Sequence, residues 1–310
     1  MVCEKEKVLR KISTSNARAD GQKRDGPSRG KELVNLPQIC PRPERAPVKR
    51  SVPPKRKEEL RCLRELASGL RGELVGLGLE EVRLRCRNRT GGALWASRSL
   101  ATCEVLLIII PGSGSEYPGP WSTISFCREA GTESGSVLPY VRRATENGWG
   151  VALLCPNANV DDDGRPLAGS ENPCSHAVSA WDDFLAKCSA NTVLMVAHSN
   201  GGQAAIGLLC DRKDDLVKGA RLKTVALLDS VHKSVPSHDT DVLDFCKTRV
   251  VDFVRSREPV GSYRPKPWAA SNISGGCRCR SGGHVDHLGV PGAVKEVVFD
   301  HFIETLSPRN

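Results

Sequence analysis

Apolar runs long enough to cross a bilayer are missing from these 310 residues. A spanning helix takes about 20 consecutive apolar residues, and no stretch approaches that, so a spanning helix is not expected. The N-terminus also lacks the apolar core of a secretory signal, because Glu4, Lys5, Glu6 and Lys7 interrupt it. Internal repeats are absent as well. Aromatic residues are scarce, at 5%, and the first 57 residues are especially poor in them. That segment cannot bury enough apolar surface to offset the entropy of ordering it, and it is read as a disordered tail. The 13 cysteines do not form the compact framework of a small secreted domain. They lie singly in apolar stretches, as at Cys103, Cys155 and Cys210, which suits reduced thiols in a soluble cytosolic or nuclear protein.

The formal charge of +9 is unevenly placed. Residues 1–57 carry 16 Lys and Arg against 6 Asp and Glu, so the tail holds the whole excess and the remainder is close to neutral. Within the tail, Lys49-Arg50-Ser51-Val52-Pro53-Pro54-Lys55-Arg56-Lys57 sets two basic clusters around a proline pair that blocks helix. Such a run serves as a nuclear-import signal or a loose RNA-phosphate arm, and it matches equally well a merely solvated linker.

Residues 58–310 read as one folded domain. Helical spacing of apolar positions over residues 58–80 opens it, and two strands, Val82 to Cys86 and Ala93 to Ala96, follow around a turn-rich Asn88-Arg89-Thr90-Gly91-Gly92. The rhythm then becomes strand, loop, helix, strand, the mark of a mostly parallel sheet flanked by helices. Strands are expected at Val105 to Ile110, Gly150 to Cys155, Thr192 to Val196 and Thr224 to Leu228. Helices are expected around Val137 to Ala144, through Val178 to Leu185, and over Ala205 to Cys210. Residues 231–266 read as an insertion with one helix over Val242 to Val254. A last weak strand near Trp268 to Ser271 then precedes a final helix, Ala293 to Leu306.

The chemistry centres on Ala197-His198-Ser199-Asn200-Gly201-Gly202, which follows a buried strand and opens a helix. That context matches a nucleophile elbow, where a tight turn pushes the serine hydroxyl above the sheet and small neighbours leave room for the strained backbone. The fold class is therefore α/β-hydrolase-like. The helix N-terminus at Asn200 aims free amides at a developing oxyanion, and Gly112, Ser113 and Gly114, after the first inner parallel strand, are the expected second source of donors. A serine needs a base and the base an orienting acid. Asp229, at the end of its strand, is the acid, and His287, before the final helix, is the base, with His284 as its rival. His198 should point into the packing of the elbow, and His232 lies in the loop beyond Asp229. This site calls for no cofactor and no metal. A less favoured reading groups Cys277, Cys279, His284 and His287 as zinc ligands, although their C-x-C spacing is tighter than structural zinc sites favour.

Several segments in one order resemble the Argonaute-binding protein two (Arb-two) domain family, including the animal nuclear cotranscriptional regulators with an α/β-hydrolase-like fold. They are Pro111-Gly112-Ser113-Gly114, Pro139 to Gly150 with Asn157-Ala158-Asn159, and Ser170-Glu171-Asn172-Pro173 leading through His176 to Trp181-Asp182-Asp183-Phe184. The elbow, Leu228-Asp229-Ser230-Val231-His232 and Asp286-His287-Leu288 complete the set. The resemblance implies a serine elbow at Ser199, nuclear residence, and partners among Argonaute or other RNA-silencing, chromatin or splicing proteins. The same domain type occurs fused to fungal histone deacetylases, which implies an adaptor as the alternative to an esterase-type enzyme. The chain departs from the family pattern at Pro111, in place of a His, and at Asn200, in place of an aromatic. Both flank the expected oxyanion region.

Overall fold

A computed structural model of the chain describes residues 65, 67–86, 89–114, 116–123, 132–232, 235–263 and 276–307. The tail assigned to residues 1–57 and the strand expected near Trp268 to Ser271 lie outside the described residues. A helical run over residues 67–76, α1, opens the described part. The sheet strands are β1 (Leu79–Cys86), β2 (Arg89–Ser97), β3 (Val105–Ile110), β4 (Gly150–Leu154), β5 (Thr192–His198), β6 (Leu222–Leu228), β7 (Val250–Val254) and β8 (Arg278–Ser281). Between them run α2 (Leu138–Glu146), α3 (Pro173–Asp183), α4 (Gly201–Asp211) and α5 (Thr240–Arg249), and α6 (Val290–Leu306) closes the domain.

The strand order is β1-β2-β4-β3-β5-β6-β7-β8. The β1–β2 and β2–β4 pairs are antiparallel, and every later pair is parallel. The fold is thus an α/β-hydrolase-like, mostly parallel sheet. Its inner strands are mostly apolar, β3 and β4 without a break, because helices cover both faces. Leu106, Ile108 and Ile110 of β3 enter one core cluster, whereas Leu107 and Ile109 enter the other. On the first face lie Ala177, Ala180 and Trp181 of α3 and Ala204, Ala205, Leu208 and Leu209 of α4. On the second lie Val141 of α2 and Val290, Val294, Val298, Phe299 and Phe302 of α6, a spacing that makes one stripe of a helix. Each of the buried Val, Leu, Ile and Phe side chains contributes about 1.5–3 kcal/mol relative to an exposed one.

One expectation fails in an instructive way. The stretch Val242 to Val254, read as a single helix, divides into α5 and the buried strand β7. Val242, Phe245, Cys246 and Val250 keep a helical spacing into β7, and a short apolar run does not distinguish strand from helix. The β-branched Val250, Val251 and Val254 win the strand because β6 and β8 offer backbone partners on both sides. Asp252, which suited a helix's solvated side, is instead 1% exposed within the sheet.

Candidate active site

Four strand ends meet at the carboxyl edge of the parallel sheet, where α/β folds place their sites. β5 ends in His198 and turns sharply at Ser199, whose φ of 52° lies in the left-handed region. Strain of this kind persists only where surroundings over-determine it. Here the Ser199 N–H donates to the Leu228 carbonyl at 3.2 Å, and the Ser199 carbonyl accepts from Gly202 at 3.0 Å and Val231 at 2.9 Å. Gly201 is required by space, since a Cβ there would sit 2.5 Å from the Ile110 oxygen and 2.6 Å from the Pro111 oxygen. The turn is therefore clamped between the ends of β3 and β6.

Asp229, directly after β6, also has positive φ, at 45°. Its backbone N–H donates to the Phe253 carbonyl at 2.9 Å, which ties it to β7. Its carboxylate is well engaged. Oδ2 accepts from His287 Nδ1 at 2.6 Å, and Oδ1 accepts from the Arg255 backbone N–H at 3.0 Å. The Arg255 guanidinium lies 3.7 Å from Oδ2, with its side chain 60% exposed. Burial acts to raise the Asp229 carboxyl, but the His287 hydrogen bond, the Arg255 amide and the two positive charges outweigh it and hold the group below the usual carboxylate range. Asp229 thus stays an anion facing the imidazole.

The structure brings Ser199, Asp229 and His287 to one rim. No hydrogen bond joins Ser199 Oγ to His287 among the described residues, and such contacts are often long in unliganded sites. His284 goes elsewhere, since its Nδ1 meets the Asp286 backbone at 3.0–3.1 Å and its ring covers Gly289. His232 Nδ1 meets Ser230 Oγ at 2.8 Å, and burial pushes its imidazole down to about 4. His198 points inward, as expected, and is fully buried.

The loop after β3 departs from expectation in one respect. The Gly112 amide, expected among the oxyanion donors, donates instead to the Trp121 carbonyl at 2.8 Å, so it anchors the loop. Gly112 is still required for close approach, because a Cβ there would lie 2.9 Å from Ser199 Cβ. Its carbonyl accepts from Asn157 Nδ2 at 2.8 Å. The Ser113 and Gly114 amides make no backbone bond among the described residues. Asn200 stands at the N-cap of α4, with its side chain unused in capping. Arg255 and the bracing by Trp121 and Asn157 were not assigned from the sequence, since nothing in their local pattern marks a contact across the sheet edge.

Cys277 and Cys279 are buried in the first core cluster, and His287 is taken by Asp229. Among the described residues no group of three or more His, Cys, Asp or Glu side chains is placed to hold a metal ion. The nine described cysteines are all free thiols.

Comparison with known proteins decides the family. Residues 75–260 match the Arb2 domain. The chain belongs to the Arb2 domain family. Its curated relatives include a cotranscriptional regulator ARB2A homolog of Dictyostelium discoideum, 28% identical over 235 residues, which cover 65% of this chain and 59% of the relative. The human cotranscriptional regulator ARB2A is 25% identical over 214 residues, covering 52% of this chain and 51% of that protein. This Arb2 chain therefore spans about half the length of the curated relatives it matches. Among solved structures, a histone deacetylase from Saccharomyces cerevisiae superposes with a TM-score of 0.51 at 12% identity, covering 80% of this chain and 97% of that one. The histone deacetylase Clr3 superposes equally well, covering 78% of this chain and 38% of its own. At these identities the Arb2 domain shares their fold alone. No helix among the described residues is long and apolar enough to cross a membrane.

Proposed function

We propose that this Arb2 chain is a nuclear regulator that retains a serine-hydrolase site of the carboxylic-ester type. The observation that carries the reading is the 2.6 Å bond from His287 Nδ1 to Asp229 Oδ2 beside the elbow serine. A serine hydroxyl is a weak nucleophile until a base takes its proton, and the base needs an acid to fix its tautomer. Asp229 holds the Nδ1–H, which leaves Nε2 free to accept the Ser199 proton. Ser199 Oγ then bonds to the acyl carbon and the carbonyl electrons move to oxygen, where the Asn200 amide at the head of α4 stabilises the charge with Ser113 or Gly114. The proton returns through His287 to the leaving alcohol, and water repeats the sequence to release the acid. The regulatory half of the proposal follows the relatives named cotranscriptional regulators. It takes Argonaute, chromatin or splicing proteins as partners and small-RNA-directed silencing or splicing control as the process, with residues 1–57 serving import or RNA contact.

The test is hydrolysis of short acyl esters together with fluorophosphonate labelling, in wild type and Ser199→Ala. Turnover and labelling that vanish in the variant support the site. A second reading, an inert adaptor on the same scaffold, is favoured by the loss of the Gly112 amide to Trp121. It takes over if wild type neither turns over ester nor labels, while nuclear extract still yields silencing, chromatin or splicing partners on the purified chain.

A further inference from the structure

His198 is a fully buried polar side chain that the reaction above does not use. Its ring is held on two sides. It stacks on His287 with centroids 4.7 Å apart and planes 28° from parallel, and Trp121 meets it edge-on at 6.0 Å. Gly112 closes a third side, since a Cβ there would lie 3.1 Å from His198 Nδ1. The remaining contact is polar: His198 Nε2 lies 3.4 Å from the His287 backbone carbonyl. A carbonyl only accepts, so this bond forms in the Nε2–H tautomer. Nδ1 is buried and makes no hydrogen bond of ordinary geometry, although the Trp121 backbone also bears on the ring.

We propose that His198 is a positioning residue for His287, holding its backbone through Nε2–H and its ring by stacking while Asp229 holds Nδ1. The inference rests on the hydrolase reading of the rim and adds a fourth member to it. Three restraints on His287 follow: its carbonyl by His198, its ring face by the same imidazole, and its Nδ1–H by Asp229. They leave Nε2 as the ring nitrogen without a restraint, where an acceptor for the Ser199 proton is needed. The coupling runs along the chain, because His198 and Ser199 are consecutive. A shift of the elbow therefore moves the support of the base with it, and nucleophile and base stay in register. Burial pushes the His198 imidazole down to about 3, with the His287 charge acting in the same direction, so the ring stays neutral across the working pH range.

The test uses the full chain. Two-bond proton–nitrogen NMR of the imidazoles should show His198 as the Nε2–H tautomer and a downfield His287 Nδ1–H proton bonded to Asp229. His198→Phe keeps a ring but loses the donor, and His198→Gln restores a donor at similar reach. In His198→Phe the downfield His287 proton should shift or broaden, and fluorophosphonate labelling of Ser199 should slow by roughly tenfold or more. Both should recover substantially in His198→Gln. A wild-type His198 protonated at Nδ1, or a His287 signal unchanged in His198→Phe, overturns the proposal. If His198→Phe does not fold, the wild-type tautomer and the His198→Gln spectrum decide. If wild type never labels, the hydrolase reading falls, while the spectra still decide whether His198 positions His287.

Discussion

Two histidines in this domain are buried to the same degree and used differently. His176 sits at the antiparallel end of the sheet, where its Nε2 accepts from the Cys155 N–H at 3.2 Å and its Nδ1 meets Ser170 Oγ at 3.1 Å. Ser170 Oγ also accepts from the Gly92 N–H, and the Ser170 carbonyl accepts from Asn159. Every polar atom of that imidazole is satisfied, and the network ties β2, β4 and α3 together. His198, at the carboxyl edge, leaves Nδ1 without a hydrogen bond of ordinary geometry beside two residues with positive φ, Ser199 and Asp229. A network closed on itself reads as structure, and one that is strained and incomplete reads as a site, because both features cost stability and persist only for a return elsewhere.

That contrast can be broken experimentally. The largest effect should come from Ser199→Ala, which removes the nucleophile with little change in packing. Fluorophosphonate labelling should drop by roughly a thousandfold or more, with Tm nearly unchanged by differential scanning calorimetry. Acid should act on both regions together. Burial pushes His176 down to about 4 and His198 down to about 3. Both folded values lie below the unfolded one, so the unfolded chain binds more protons and stability falls as pH drops from about 6.5 towards 4. Each of the two should contribute a loss on the order of 2 kcal/mol between pH 7 and pH 5, read by urea titration at each pH.

A smaller effect, and a sharper separation, is expected from His176→Ala. Loss of a filled volume and of two buried hydrogen bonds should cost about 3 kcal/mol. The labelling rate of the folded fraction should stay near the wild-type value, since none of the hydrogen bonds of His176 reaches Ser199, Asp229 or His287. The smallest effect should come from Asp252→Asn. Burial, with Cys279 close by, holds the Asp252 carboxyl well above the ordinary carboxylate range. An acid raised in the folded state loses stability as pH rises above its unfolded value, because the unfolded chain gives up the proton more readily. Asparagine keeps an oxygen for the Ser230 N–H, now accepted by Asp252 Oδ1 at 3.4 Å, and carries no such penalty. Tm at pH 7 should rise by roughly 2–4 °C, with the gain fading near pH 3.

Most of the frame was legible in the sequence because its elements obey simple periods. Val105 to Ile110 is apolar without interruption, as a doubly covered strand must be, and the elbow's small residues announce the strained turn. The pairing of Asp229 with His287 was legible through chain order and strand ends. The division of α5 from β7 was not, because the spacing of Val242, Phe245, Cys246 and Val250 fits a helix and only neighbouring strands favour the sheet. The loss of the Gly112 amide was not legible either, since it depends on Trp121 folding back onto the loop from nine residues away. The stacking of His198 on His287 joins residues 89 positions apart, and no local pattern encodes it.

The central claim is that the His287–Asp229 pair activates Ser199. It is tested most directly by mapping fluorophosphonate adducts by mass spectrometry in wild type, His287→Ala and Asp229→Asn. The account predicts one adduct, on the peptide containing Ser199, forming at least about a hundredfold more slowly in either variant. A wild-type protein without adduct, or equal labelling when His287 is removed, would contradict it.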